Sequence, residues 1–280
     1  MKVAVSIWSL HKYWFDGTLT NVDFIKYAAG LGVDGVELLD TFWKDQAREI
    51  PEIKQVLADN GMALACYAVS NDFASPDSEK RKQALDTIKA GVEVGAELGT
   101  NVIRVFGGDV SEGVSVEDGE RWITEGLAAA AEFAQANDAY LCLENHGLLV
   151  GHSEQVHRIL THINNPHMIS TFDMGNFLLA ADEPLEALEK LAPFIGHVHA
   201  KDFRLPDDDE LDQAYKGVDG RSYVGSVLGL GLVNVSQIVK ELGKRRYDGW
   251  LSIEFEGLEE PYFGTEASVK NLRKYVKEFN

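Results

Sequence analysis

A closed parallel (β/α)8 barrel is the fold class that this 280-residue chain predicts, and three observations carry it. Eight short β-rich runs recur at intervals of about thirty to fifty residues, the spacing of one strand plus one helix per unit. The runs are near-continuously apolar, as strands covered on both faces must be. The segments between them carry helical periodicity, without a Pro/Gly/Ser linker or a break in composition. One domain over 1–280, of the TIM-barrel class, follows. An open doubly wound sheet competes less well, since no Gly-rich dinucleotide fingerprint follows the first run.

In chain order the strands are KVAVSIW from Lys2, GVDGVELL from Gly32, MALACYAV from Met62, NVIRVFG from Asn101, AYLCLEN from Ala139, MISTFDM from Met168, GHVHAKDF from Gly196 and GWLSIEFEG from Gly249. Helices include SEKRKQALDTIKAGVEVGAELG from Ser78 and RWITEGLAAAAEFAQAN from Arg121. Their punctuation agrees: Gly30, Gly61 and Gly99 follow periodic stretches, Ser115 with Asp118 resembles a capping box, and Pro184 suits a first turn. One connection is exceptional. LPDDDELDQAYKGVDGRSY, residues 205–223, is too long and polar for a routine link. It leaves the C-terminal end of the seventh strand, where barrel enzymes build their sites, so it reads as a substrate-covering loop or as a solvated insertion.

Composition narrows the function. A formal net charge of −19, from 45 acidic against 26 basic residues, would repel a phosphate backbone and opposes nucleic acid as a partner. Cys66 and Cys142 each sit in an apolar run, which suits core thiols in a reducing compartment. MKVAVSIWSL is short and lacks a small-residue cleavage site, so it reads as a strand. No run reaches the length of a membrane helix. The expectation is a cytoplasmic protein with no membrane partner.

The barrel's C-terminal rim is where polar side chains assemble into sites. There the fifth strand ends in LENHG with Glu144, the sixth in FDMGN with Asp173, the seventh in HVHAKD with His199, and the eighth in IEFEG with Glu254. Three carboxylates crowded at one partly buried spot would repel or stay protonated, so the set asks for a cation. Oxygen-rich ligation with one imidazole suits Mn²⁺ first, with Mg²⁺ or Co²⁺ close behind and Zn²⁺ as a further option. His197 shares the face of His199 but lies one layer deeper, about 6.6–6.8 Å from the rim position. It reads as a support within the barrel.

The ordered set LENHG, FDMGN, HVHAKD and IEFEG resembles the xylose-isomerase-like barrel superfamily of sugar phosphate isomerases and epimerases, whose relatives include ketose 3-epimerases, inosose dehydratases, hydroxypyruvate isomerases and endonuclease IV. GVDGVEL, NDFASPDSEKR and LGTNVIRV support it. The resemblance spans essentially the whole chain and implies Glu144, Asp173, His199 and Glu254 as the ligands of one metal. It also implies Glu144 and Glu254 as an acid/base pair on opposite faces of the substrate. Multi-metal members bring further histidines, but the corresponding stretches here are YAVSNDF, VFGGD and FDMGN, with Asn176 where a histidine would stand. Where relatives often have Gly-Glu-Gly before the last helix, this chain has Gly229-Leu230-Gly231.

Around this core, His146 shares the face of Glu144 and reads as a substrate contact or a strand-end cap. Arg104, inside the fourth strand, needs a buried partner, with Glu37 the candidate, or serves as a substrate clamp. Asn176, Lys201, Arg204 and Glu256 are further candidates for substrate binding. Asp202 reads as an orienting group. Trp8 and Trp14, with His11 and Phe15, offer an apolar wall for a sugar ring or plain packing.

The expected activity is that of a divalent-metal-dependent isomerase or epimerase of a keto sugar or sugar-derived ketone. The cation would acidify the C–H beside the carbonyl through an enediolate, and a carboxylate would take the proton. The alternative expels a β-substituent after the same proton abstraction, giving a lyase or dehydratase on an inosose, 3-keto-glycoside or anhydrosugar. An endonuclease IV-like nuclease and a noncatalytic carbohydrate-binding protein are more remote. The resemblance also implies a small carbohydrate as substrate and a homo-oligomer, dimer or tetramer.

Overall fold

Strands that are apolar on both sides must be enclosed on both sides, and the chain meets this by closing its sheet and wrapping it in helices. The computed structural model describes residues 1–110 and 113–279. Its barrel strands are β1 (Lys2–Ser6), β2 (Gly35–Leu39), β3 (Ala63–Ala68), β4 (Val102–Val105), β5 (Tyr140–Glu144), β6 (Met168–Asp173), β7 (Ile195–Ala200) and, after an excursion, β11 (Trp250–Ile253). They close in the order β1-β11-β7-β6-β5-β4-β3-β2, every barrel pair being parallel. A main helix follows each strand, from Asn21–Gly30 after β1 to Pro261–Phe279 after β11. The expected eight-unit barrel stands.

Local chemistry explains the helix bounds. The Ser115 hydroxyl accepts the Asp118 N–H, so that helix begins at Val116, five residues before Arg121. Pro184 occupies the first turn of Pro184–Leu191, where its missing N–H has no intrahelical use. Gly99 ends Ser78–Leu98 with φ 90°, a left-handed turn open to glycine. Gly30 is corrected: it is the last residue of its helix, and Gly32, at φ 67°, makes the turn.

The segment after β7 differs from an irregular loop. β8 (Phe203–Arg204), β9 (Tyr215–Lys216) and β10 (Ser222–Gly225) form an antiparallel sheet in the order β8-β10-β9. A 3-10 turn over Asp208–Gln213 joins β8 to β9, and Glu210 within it takes both guanidinium nitrogens of Arg204 at 2.7 Å. Periodicity could not show this, because strands of two to four residues carry no pattern. Tyr215 stands toward the barrel mouth, where burial and the Glu256 carboxylate push its phenol up to about 12.

Register positions the site. Asp173 on β6 lies opposite His199, and Thr171 lies opposite both Glu144 and His197. His197 therefore sits below the rim and His199 at it. Among the described residues, no helix is long and apolar enough to cross a membrane.

Candidate active site and metal centre

The four strand ends converge. His199 Nδ1 lies 3.6 Å from Glu144 Oε1, 3.6 Å from Glu254 Oε2 and 3.8 Å from Asp173 Oδ2, with all four side chains buried. One donor atom from each lies within 4.8 Å of the others, and His199 Nδ1 has no hydrogen-bond partner. An unpartnered imidazole nitrogen ringed by three buried carboxylates is the donor set of a hard or borderline divalent cation. The residues fit a metal, with Glu144, Asp173, His199 and Glu254 to hold it.

Backbone chemistry aims each ligand. Asp173 Oδ1 accepts the N–H groups of Gly175 and Asn176, both at 2.8 Å, which leaves Oδ2 facing inward. Asn145, which sequence reasoning passed over, clamps the same residue: its Oδ1 accepts the Asp173 N–H at 2.8 Å and its Nδ2 donates to the Asp173 carbonyl at 3.0 Å. Its only signal was a polar residue wedged between Glu144 and His146. Arg104 corrects an expectation. Its partner is Glu144, at 3.1 Å from Nε to Oε2, while Glu37 is held by the two histidines of β7. The guanidinium also lies 3.9 Å from the Phe106 ring centroid and donates to the Val69 carbonyl.

Lys201 Nζ lies 3.0 Å from Glu254, 3.3 Å from Asp173 and 3.4 Å from Glu256. Trp8 Nε1 donates to Glu256. Trp8, Arg104, His146, Lys201 and Glu256 join Glu144 and Glu254 around a cavity of about 260 Å³. Leu39, at the end of β2, with Thr41, Ser70 and Phe106 just past strand ends, completes it, and none of the four was singled out from the sequence.

Other candidates fall elsewhere. Trp14 lies flat on Phe42, 4.9 Å between centroids, outside the cavity lining. Arg204 turns to Glu210, and His11 stacks on Trp8. Asn176 braces the ligands: Nδ2 donates to Glu144 Oε1 at 3.1 Å and Oδ1 faces Lys201. Asp202 gathers the Gly229–Val233 turn, accepting the N–H groups of Gly229, Gly231 and Val233 as well as that of Phe203. That turn needs its glycine, because a Cβ on Gly231 would stand 2.3 Å from Asp202 Oδ1.

Electrostatics separates the two glutamates. Burial opposes ionisation of Glu144, but His199 and Arg104 outweigh it and hold its carboxyl well below the usual range. Burial, reinforced by Glu144 and only partly offset by His199 and Lys201, pushes Glu254 up to about 7. Burial works against the His199 imidazolium too, yet Glu254, Glu37 and Glu144 raise it well above its ordinary value.

A metal needs His199 Nδ1 bare, so protons compete with it. Affinity should fall as pH drops, because the surrounding carboxylates hold the His199 imidazolium well above its ordinary value. Proton release should be about one per metal, from His199, while Glu254 keeps the proton it later donates. Calorimetry in buffers of different ionisation enthalpy measures this, and pH-independent affinity would contradict it.

Comparison with known proteins places the fold. An inosose dehydratase of Clostridium perfringens is 26% identical over 247 residues, covering 82% of this chain and 82% of that protein. A 3-keto-D-glucoside 4-epimerase from E. coli superposes with a TM-score of 0.74 at 18% identity, covering 98% of this chain and 99% of that one. The IOLI protein, solved with a zinc atom, gives a TM-score of 0.79 at 14% identity, covering 100% and 99%. The model of the xylose isomerase-like TIM barrel matches residues 25–275, most of the barrel and all four converging strand ends, and the chain belongs to that family.

Proposed function

We propose that this protein is a divalent-metal-dependent lyase that removes water from an uncharged, polyol-derived ketone. The observation that carries the reading is the pair Glu144 and Glu254: both line one cavity, both flank His199 Nδ1 at 3.6 Å, and their proton affinities are driven in opposite directions. Two carboxyls separated in this way suit one base and one acid. The dehydratase names among the sequence relatives favour elimination over the isomerase or epimerase expectation.

When bound, a divalent ion, with Mn²⁺ the proposed occupant, would polarise a substrate carbonyl. The chain's own groups do the rest. Glu144, kept ionised beside Arg104, takes the proton from the carbon next to the carbonyl. The electron pair left there forms the C=C bond as the β-C–O bond breaks. Glu254 gives its proton to the departing hydroxyl, and water leaves. Trp8 offers an indole face to the ring, and Lys201, Glu256 and His146 offer hydrogen bonds to its hydroxyls. The two free, buried cysteines support a cytoplasmic setting.

Charge argues for the uncharged substrate. Arg104 is paired with Glu144, and Lys201 faces three carboxylates. With Glu254 carrying the proton it donates, Glu144, Asp173, Glu256 and Glu37 make four negative charges; Arg104, Lys201 and a dication make four positive ones, leaving no net charge with neutral His199. A phosphate or carboxylate would enter this site unmatched.

The Mn²⁺-loaded protein should turn over a keto-cyclitol with release of water, and carboxylated or phosphorylated analogues should react at least 10-fold more slowly, about 1.4 kcal/mol. Solvent deuterium in a recovered isomer without water loss would restore the isomerase reading. Preference for the anionic analogues would remove the charge argument.

A further inference from the structure

Behind the metal ligands lies a second polar group that the proposed reaction does not use. Glu37 on β2, His197 and His199 on β7 come together across the barrel interior, and none of the three side chains is exposed to solvent. His197 Nε2 lies 2.8 Å from Glu37 Oε2. His199 Nε2 lies 3.1 Å from Oε1 and 3.3 Å from Oε2 of the same carboxylate. The Ser6 hydroxyl reaches Oε1 at 3.5 Å. An ionised carboxylate only accepts hydrogen bonds, so each imidazole must present Nε2–H to it.

This matters for the opposite edge of the His199 ring. A neutral imidazole has one protonated nitrogen and one lone pair, and the hydrogen bond made by one nitrogen decides what the other can do. With Nε2–H held by Glu37, the lone pair is on Nδ1, the atom that has no hydrogen-bond partner and faces Glu144, Asp173 and Glu254. The same three residues could be read as a second cation site. The 2.8 and 3.1 Å separations and complete burial instead describe hydrogen bonds in a sealed interior.

We propose that Glu37 is a positioning residue: by accepting Nε2–H of His199 across the barrel it fixes the tautomer whose Nδ1 binds the metal, while His197 holds the Glu37 carboxylate in place. The inference rests on the reading of His199 as a ligand. It assigns His197 its role as well, one step removed from the metal.

Glu37→Gln tests it. The glutamine amide has nearly the same shape but can donate to Nε2 through its NH₂, which makes the Nδ1–H tautomer available and blocks ligation. Mn²⁺ affinity, measured by chelator competition on the intact chain, should fall about 10- to 100-fold. The metal-free variant's melting curve monitors folding. ¹⁵N spectra of histidine-labelled wild-type protein loaded with diamagnetic Zn²⁺ should show His199 protonated at Nε2, a measurement that needs no variant to fold.

Wild-type Mn²⁺ affinity in folded Glu37→Gln, Nδ1–H on His199 of the Zn²⁺-loaded protein, or two metals per chain would each overturn the assignment to Glu37 alone. A wild-type chain that binds no divalent metal would overturn this proposal and the metal-dependent reading together.

Discussion

Glu254→Gln protein, assayed at saturating metal, should lose about 10²- to 10⁴-fold in kcat, the usual contribution of one general acid or base. That loss is about 2.7–5.4 kcal/mol of transition-state stabilisation. The amide keeps an oxygen toward the cavity, so the site should still load at higher metal concentration, but it cannot hand a proton to a departing hydroxyl. The comparison that assigns roles is with Glu144→Gln. Glu144 is the group held ionised by His199 and Arg104, whereas Glu254 is pushed up to about 7. Glu144→Gln should therefore stop exchange of the substrate C–H with deuterated solvent. Glu254→Gln should permit exchange and stop water loss. The reverse pattern would exchange their roles, and full activity of either variant would remove that residue from the chemistry.

Asp202→Ala should be the most destabilising substitution outside the four converging strand-end residues. Asp202 Oδ1 accepts the N–H groups of Phe203 and Val233 at 2.9 and 3.0 Å, and Oδ2 those of Gly229 and Gly231, both at 2.9 Å. Truncation leaves these donors without the carboxylate, at a cost of about 1–3 kcal/mol for each that stays buried. A loss of about 4 kcal/mol or more is large against the 5–15 kcal/mol that holds a typical protein folded. It corresponds to a fall in melting temperature of roughly 8–16 °C for a chain of this size. Asp202→Asn, which keeps one acceptor, should fall between. An Asp202→Ala protein that melts with the wild type would show that the turn finds other acceptors. The Gly229–Val233 turn is thus anchored by an aspartate three residues past His199.

Much of the site was legible because a strand's phase is written locally. Alternation along IGHVHAKDF puts His197 and His199 on one face, and counting to the end of the run places His199 nearer the rim. The same reasoning, repeated on β5, β6 and the last barrel strand, brought Glu144, Asp173 and Glu254 to the mouth where the structure finds them. Family membership followed from the order of those ends and is supported over residues 25–275. Trp8 and Glu256 also reached the cavity they were expected to line.

What failed was the pairing offered for Arg104 and the placement of two side chains beyond the strand ends. Arg104 was offered Glu37 and found Glu144; Glu37 instead joined His197 and His199 from the far side of the closed sheet. Trp14 and Arg204 had the right chemistry but turned to Phe42 and Glu210. The sequence by itself determined the number of units, the phase of each strand and the donor type at each strand end, because these are properties of a few consecutive residues. Only the tertiary structure decided the partners, because strand stagger and barrel closure set which inward side chains share a layer, and no local pattern encodes either.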